Sequence, residues 1–299
     1  HDFNTDHQAL YLFTRIVLWD LERKFLTQFY PFLIHFDKWP YPRTYQPLEY
    51  LKAPSKLQTQ IRWNELPLQV EEMKLKYEAL NAHKTQINSN RKYLLSFMKM
   101  NELFGDYEQI RPSDRGTSLG KGAISASIPQ EELVATDSPY VGLQDQTISL
   151  KNGIFGVAIQ LSRFLPKREK IAQDQKGVIS KQIESYLPVS KEGSLSPTVA
   201  SILPKNVGVS CYVFGYRYDQ AFEHMPKFWI RIGRKGYTVF DLAEQVARPI
   251  EVNRVGAQLK VQVPLDLLNH PDYLLVNVKN YIGLQTLDWV PWRIIKLKS

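Results

Sequence analysis

From Tyr212 to Tyr237 the chain sets cations between rings. Arg217, Lys227, Arg231, Arg234 and Lys235 are interleaved with Tyr212, Phe214, Tyr216, Tyr218, Phe228, Trp229 and Tyr237. A ring offers a π face on which any nucleobase stacks, and a guanidinium or ammonium neutralises the phosphate between bases. Alternate side chains of an extended chain share a face, so Tyr212, Phe214, Tyr216 and Tyr218 would form one platform, with Val207, Val209, Cys211 and Val213 opposite. Gly233 and Gly236 would let a phosphate approach the backbone. The candidate contacts are Tyr216, Arg217, Tyr218, Lys227, Trp229, Arg231, Arg234 and Lys235. A second basic cluster, Arg163, Lys167, Arg168 and Lys170, follows a strand further upstream. The competing reading packs the rings beneath the rest of the chain and leaves the cations solvated on turns.

The charge distribution favours the same half. Of 38 Lys and Arg and 30 Asp and Glu in 299 residues, the first 150 residues carry 17 and 18, and the remainder carries 21 and 12. The whole net charge of +8 therefore belongs to the second half. A basic half of this kind suits a polyanionic partner, since cations gain by displacing counterions from phosphates.

Catalytic signatures are missing. Gly116-Thr-Ser-Leu-Gly120-Lys121-Gly122 is similar to a phosphate-binding loop. It has one residue too few between its first Gly and the Gly-Lys pair, lacks the Ser or Thr that holds the metal, and follows no apolar strand. Cys211 lies on the apolar face of its strand, where a thiol is buried and inert. His224, with Glu223 and Asp219 nearby, lacks a nucleophile elbow and reads as an exposed turn. The six His have no ligand spacing, so neither metal nor cofactor is expected, and the chain is not expected to be an enzyme. One Cys excludes a disulfide framework and suits a reducing, cytoplasmic setting. No apolar run is long enough to cross a bilayer, and the first residues lack a signal-peptide core. The chain opens with His1 rather than Met, as expected of a processed or trimmed chain or a fragment.

The positioning elements follow from periodicity. Leu10, Phe13, Val17, Leu21, Phe25 and Phe29 predict a helix capped by Thr5 or Asp6 and ended by Pro31. A Pro- and aromatic-rich stretch, 37–62, would drape over a neighbour or dock into a partner. Further helices are expected from Asn64 through Leu80 and from Asn90 to Phe104, with Gly105 as the last stop. Asn152-Gly153, between Ile148/Leu150 and the alternating Phe155, Val157, Ile159 and Leu161, signals a two-residue hairpin. Strand-like runs follow at 207–218, 228–232, 237–240, 258–263, 273–278 and 292–297. The expected organisation is a helical region 1–105, a loop or linker 106–146 and a basic β-rich domain 147–299. This is an α+β fold with a helical N-terminal half and a mainly antiparallel β C-terminal half.

Pro226-Lys-Phe-Trp-Ile-Arg-Ile-Gly-Arg234, followed by Pro264-Leu-Asp266, resembles the backbone subunit that caps the 5′ handle of the guide RNA in type I-D CRISPR surveillance complexes. The family pattern is aromatic-Ile-Arg-Leu-Gly-Lys and then Pro-Leu-Asp. The resemblance covers about residues 207–266 and leaves the first hundred residues unaccounted for. It implies a ferredoxin-like (RRM-like), non-catalytic RNA-binding subunit of an antiviral ribonucleoprotein, with Arg231, Arg234 and Lys235 near the guide backbone. The resulting expectation is a structural subunit that binds nucleic acid, RNA rather than DNA, through its β half and other proteins through its helical half. Two alternatives stand beside it: a scaffold or capsid-like subunit without nucleic-acid contact, and an enzyme of an unrecognised family.

Overall fold

Asn152 and Gly153 both adopt positive φ (51° and 73°), as a two-residue turn between right-twisted strands requires. They join two strands of a β-sandwich. The structure, a computed structural model, describes residues 2–22, 24–36, 38–58, 60–123, 140–163, 193–194, 207–233, 236–244, 246–283 and 285–298. The chain divides into two units, His1–Glu108 and Gln109–Ser299.

The second unit runs through β3 (Thr117–Gly120), β4 (Tyr140–Leu143), β5 (Gln146–Lys151), β6 (Ile154–Arg163), β7 (Gly193–Ser194), β8 (Val207–Tyr216), β9 (Lys227–Ile232) and β10 (Gly236–Asp241). It continues through β11 (Val246–Ala247), β12 (Glu251–Val255), β13 (Gln258–Pro264), β14 (Tyr273–Ile282) and β15 (Gln285–Lys296). β3 and β4 rise from the stretch that reads as a linker. One sheet has the order β12-β13-β6-β5-β3, with β4 also pairing β6; the other has the order β11-β10-β9-β8-β14-β15, with β7 pairing β10. The strand pairings are antiparallel. Phe155, Val157, Ile159, Val261 and Val263 of the first sheet meet Val209, Cys211, Val213, Ile230, Val276 and Val278 of the second in one core. The outward residues of the first sheet are polar and exposed, among them Lys151, Asn253, Lys260 and Gln262.

The first unit is mixed. Helix α1 (Thr5–Leu21) starts at Asn4, whose side chain accepts the N–H groups of Asp6 and His7. It buries Leu12, Ile16 and Trp19, and the stripe that predicted the helix lies outward at Leu10, Phe13 and Val17, which are 66%, 60% and 52% exposed. The Pro- and aromatic-rich stretch supplies Trp39, Leu51, Leu57 and Ile61 to a second core with Leu33, Phe36, Phe97, Leu103 and Tyr107. Strand β1 (Arg62–Pro67) pairs antiparallel with β2 (Asn101–Asp106), and α2 (Val70–Ala82) and α3 (Lys84–Leu95) lie between them in sequence.

Two expectations are corrected here. The first half is not a helical half, because residues 62–67 and 101–106 pair as strands where helices were expected. Pro67 closes β1 rather than opening a helix, and Gly105 lies inside β2 rather than ending α3. The Trp63 ring crosses Gly105, its cross-strand partner, and an added Cβ would come within 2.5 Å of it. The second correction concerns the basic half. Its described residues form two packed antiparallel sheets with no α-helix among them, so the ferredoxin-like reading is replaced by a β-sandwich. Gly105→Ala is expected to lower the thermal midpoint through overpacking of about 1–3 kcal/mol. An unchanged midpoint in a melting experiment would contradict this account of the ladder.

Candidate nucleic-acid interface

The inward phase of β8 is committed to Val207, Val209, Cys211 and Val213. Its other phase therefore carries Ser210, Tyr212, Phe214 and Tyr216 to the outside of the second sheet. Cross-strand register supplies the neighbours: Tyr212 stands opposite Trp229 on β9 and Asn277 on β14, and Ser210 stands opposite Arg231 and Lys279. The Tyr212 and Trp229 rings stack at 5.9 Å with planes 8° apart. Trp229 continues to Phe240 at 6.0 Å, and Tyr212 to Trp292 at 5.9 Å. Phe214 closes the cluster 5.0 Å from Trp292. A register shift between Val276 and Val278 sets the β15 side of this cluster, and the Asn277 side chain donates to the Val290 carbonyl there at 2.6 Å.

Two cations lie on these rings. The Arg231 guanidinium sits 5.0 Å from the Trp229 centroid, and the Lys279 ammonium 5.2 Å from that of Tyr212. Each contact contributes about 0.5–2 kcal/mol. Neither cation makes an ion pair among the described residues, and both are half-buried. Desolvation pulls the Lys279 ammonium below its usual value of 10.5, with Tyr281 acting the other way. Burial pushes the Tyr212 hydroxyl up to about 12, so it is a neutral hydrogen-bonding group at physiological pH. Trp229 donates its indole N–H to the Ser210 hydroxyl at 3.1 Å. The face thus combines fixed rings with positive charge that no carboxylate among the described residues answers.

The predicted residues separate clearly. Trp229 and Arg231 belong to this face. Tyr216 does not reach solvent: it is fully buried, in ring contact with Tyr218 at 5.6 Å and Tyr273 at 6.3 Å, and so cannot stack on a base. Tyr218 is held through its backbone N–H by Asp272 at 3.0 Å, and its hydroxyl lies 3.3 Å from that of Tyr273. Arg217 is paired with Asp219 through two hydrogen bonds of 2.8 and 2.6 Å and donates to the Asn269 carbonyl at 3.0 Å. Lys227 is a structural pin, its ammonium donating to the carbonyls of Phe222, Glu223 and Met225. Phe228 and Tyr237 belong to the core side of the sheet. Arg234, Lys235, Lys167 and Arg168 lie outside the described residues; Arg163 ends β6 opposite Tyr140, with its side chain outside them as well.

The four-residue platform is therefore corrected. Tyr212 alone of those tyrosines and phenylalanine is half-exposed on the sheet face, and its ring is stacked on Trp229 rather than open on both sides. Ring edges and cations are what the face presents. Sequence reasoning missed Lys279 and Trp292. The alternation in β14, with Val276 and Val278 inward and Asn277 and Lys279 outward, was the available signal. It becomes useful only once β14 is known to lie beside β8.

The reactive readings find no geometry. Burial raises the Cys211 thiol to about 12, as expected of an inert core cysteine. Among the described residues the His224 ring pairs with its neighbour Glu223, at 3.2 Å, with both side chains largely exposed. Among the described residues no three His, Cys, Asp or Glu converge on a metal position, and no helix is long and apolar enough to cross a membrane.

Lys279 gives a pH test. Its folded pKa lies below its unfolded one, so the unfolded chain binds more protons between the two values and stability rises with pH across that window. Lys279→Met is expected to be at least as stable as the parent at neutral pH, with the difference closing as pH approaches 10.5. A difference independent of pH would contradict a desolvated ammonium. No protein-family model, curated protein or solved structure matches the chain, so the assignment of this face rests on its own geometry.

Proposed function

We propose that the protein is a non-catalytic nucleic-acid-binding subunit of a ribonucleoprotein assembly, and that it meets RNA through the outer face of its second sheet. The observation that carries this reading is the unanswered pair Arg231 and Lys279, held over the stacked Trp229 and Tyr212. A guanidinium and an ammonium without carboxylate partners among the described residues are ready to displace counterions from a phosphate backbone. The stacked Trp229 and Tyr212 lie in the row beside the cations and offer apolar contact to bases and riboses. The excess charge of the second half supports the same partner.

The subunit role is supported by α1, where Leu10, Phe13 and Val17 make an outward apolar stripe of the kind another protein covers. The reading includes a reducing compartment such as the cytoplasm, in keeping with the single buried thiol. It stops short of the CRISPR subunit suggested by residues 207–266, because the described residues of the sandwich include no helical layer of the ferredoxin-like kind.

Fluorescence anisotropy with a labelled oligouridylate, measured across a salt series, tests the proposal. Binding is expected to weaken steeply with salt, and Arg231→Gln and Lys279→Gln are each expected to reduce the slope by roughly 0.7, the value for one phosphate of a single strand. The matching oligothymidylate is expected to bind less tightly than the RNA. If the double variant keeps its fold and binds with an unchanged salt slope, the proposal fails.

A further inference from the structure

A second site lies in the first unit, and its elements are unrelated to the sheet face. The Asp2 carboxylate accepts the backbone N–H groups of Asn4 at 2.8 Å, Ile34 at 3.0 Å and His35 at 2.9 Å, and it pairs with His7 Nδ1 at 3.1 Å. Asp2 is 7% exposed, and these hydrogen bonds, opposed by desolvation, hold its carboxyl below the usual range. This junction fixes the turn that presents His35. The His35 ring stacks on His7 at 5.0 Å and on Tyr93 at 6.0 Å, with planes 24° and 14° apart. Tyr93 in turn lies beneath the Arg43 guanidinium, 5.1 Å from its centroid, and gives its hydroxyl proton to the Ile34 carbonyl.

Beside this stack opens a cavity of about 460 Å³. Its volume falls within the range of about 300–1,000 Å³ common to small-molecule sites. Phe3 and Phe36 form an apolar wall, His35 and Tyr93 a second wall, and Lys38, Arg43 and Asn90 the rim. One of these rim residues departs from ordinary backbone: Lys38 adopts φ 51°, while Asn90 marks the break in α3. A positive φ outside glycine persists where surrounding structure enforces it, and such positions gather at binding sites. Among the described lining residues there is no carboxylate. Lys38 makes no ion pair among the described residues, and the Arg43 guanidinium, besides lying over Tyr93, donates to the carbonyls of Phe36 and Trp39 at 3.4 Å each. The site therefore offers two cations, flat apolar walls and, in Asn90, a carboxamide with both donor and acceptor.

We infer that this cavity binds a free nucleoside monophosphate, with the phosphate between Lys38 and Arg43 and the heterocycle against Phe3 and Phe36. A dianionic head uses both cations, the flat body uses the apolar walls, and the carboxamide reads a heteroatom edge. The 5′-phosphorylated end of a strand carries the same chemistry, so the test includes it.

Isothermal titration calorimetry on the 299-residue chain, with AMP as the probe, tests the assignment. AMP is expected to bind more tightly than adenosine or inorganic phosphate. Lys38→Asn, which tolerates the left-handed backbone, and Arg43→Gln are each expected to weaken AMP by roughly tenfold while leaving the thermal midpoint near that of the parent. Absence of AMP binding at millimolar concentration, equal affinity for adenosine, or affinity unchanged in both variants would overturn the inference. Preference for a 5′-phosphorylated oligonucleotide over AMP would overturn the assignment to a free ligand. Arg231 and Lys279 lie in the other unit, so loss of strand binding in their variants leaves this titration unaffected.

Discussion

The aliphatic faces of two β-sheets are buried against each other, and this burial decides what the outside of the second sheet can present. Strand side chains alternate with a period of two, so a one-residue slip would exchange core and surface along an entire strand. With Val209, Cys211 and Val213 of β8 inward, Tyr212 and Phe214 must point out. With Ile230 and Ile232 inward, Trp229 and Arg231 must follow them. The same phase on β14 turns Lys279 outward beside Ser210. The cationic, ring-lined face is thus a consequence of the core. The first sheet obeys the same rule with a different result, because its outward phase carries Lys, Asn and Gln.

Rings on a sheet face can serve a ligand or each other. In this molecule they mostly serve each other: Tyr212 stacks on Trp229, Trp229 touches Phe240, and Phe214 fits against Trp292. Such packing stiffens the face and holds the two cations at defined places. It also changes the kind of recognition available. Edges and charges at fixed positions suit a phosphate backbone better than intercalated bases, and Tyr216, on the same phase but fully covered beside Tyr218 and Tyr273, takes no part.

The second unit was legible in the sequence to the extent that alternation and turn chemistry are local. Asn152-Gly153 announced its hairpin, and β8, β9, β10, β13 and β14 lie where their periodicity put them, whereas β11, β12 and the first half of β15 carried no such signal. Pairing was not legible. Arg217 and Lys227 look like free cations in sequence, yet one is paired with Asp219 and the other is consumed by three carbonyls. Lys279, more than sixty residues beyond Tyr212, enters the site only through a ladder. In the first unit the errors came from short segments. Residues 62–67 and 101–106 carry apolar residues compatible with either period, and the deciding contact, Trp63 over Gly105, is nonlocal. On α1 both stripes are apolar, and the tertiary structure buries the one containing Leu12, Ile16 and Trp19.

The most direct measurement of the central claim is ultraviolet cross-linking of an oligouridylate to the chain, with adducts located by mass spectrometry. A strand lying across the second sheet should leave its adducts on Tyr212, Trp229 and Trp292. Adducts confined to the polar face of the first sheet or to residues 1–108, or a complete absence of adducts, would contradict the account.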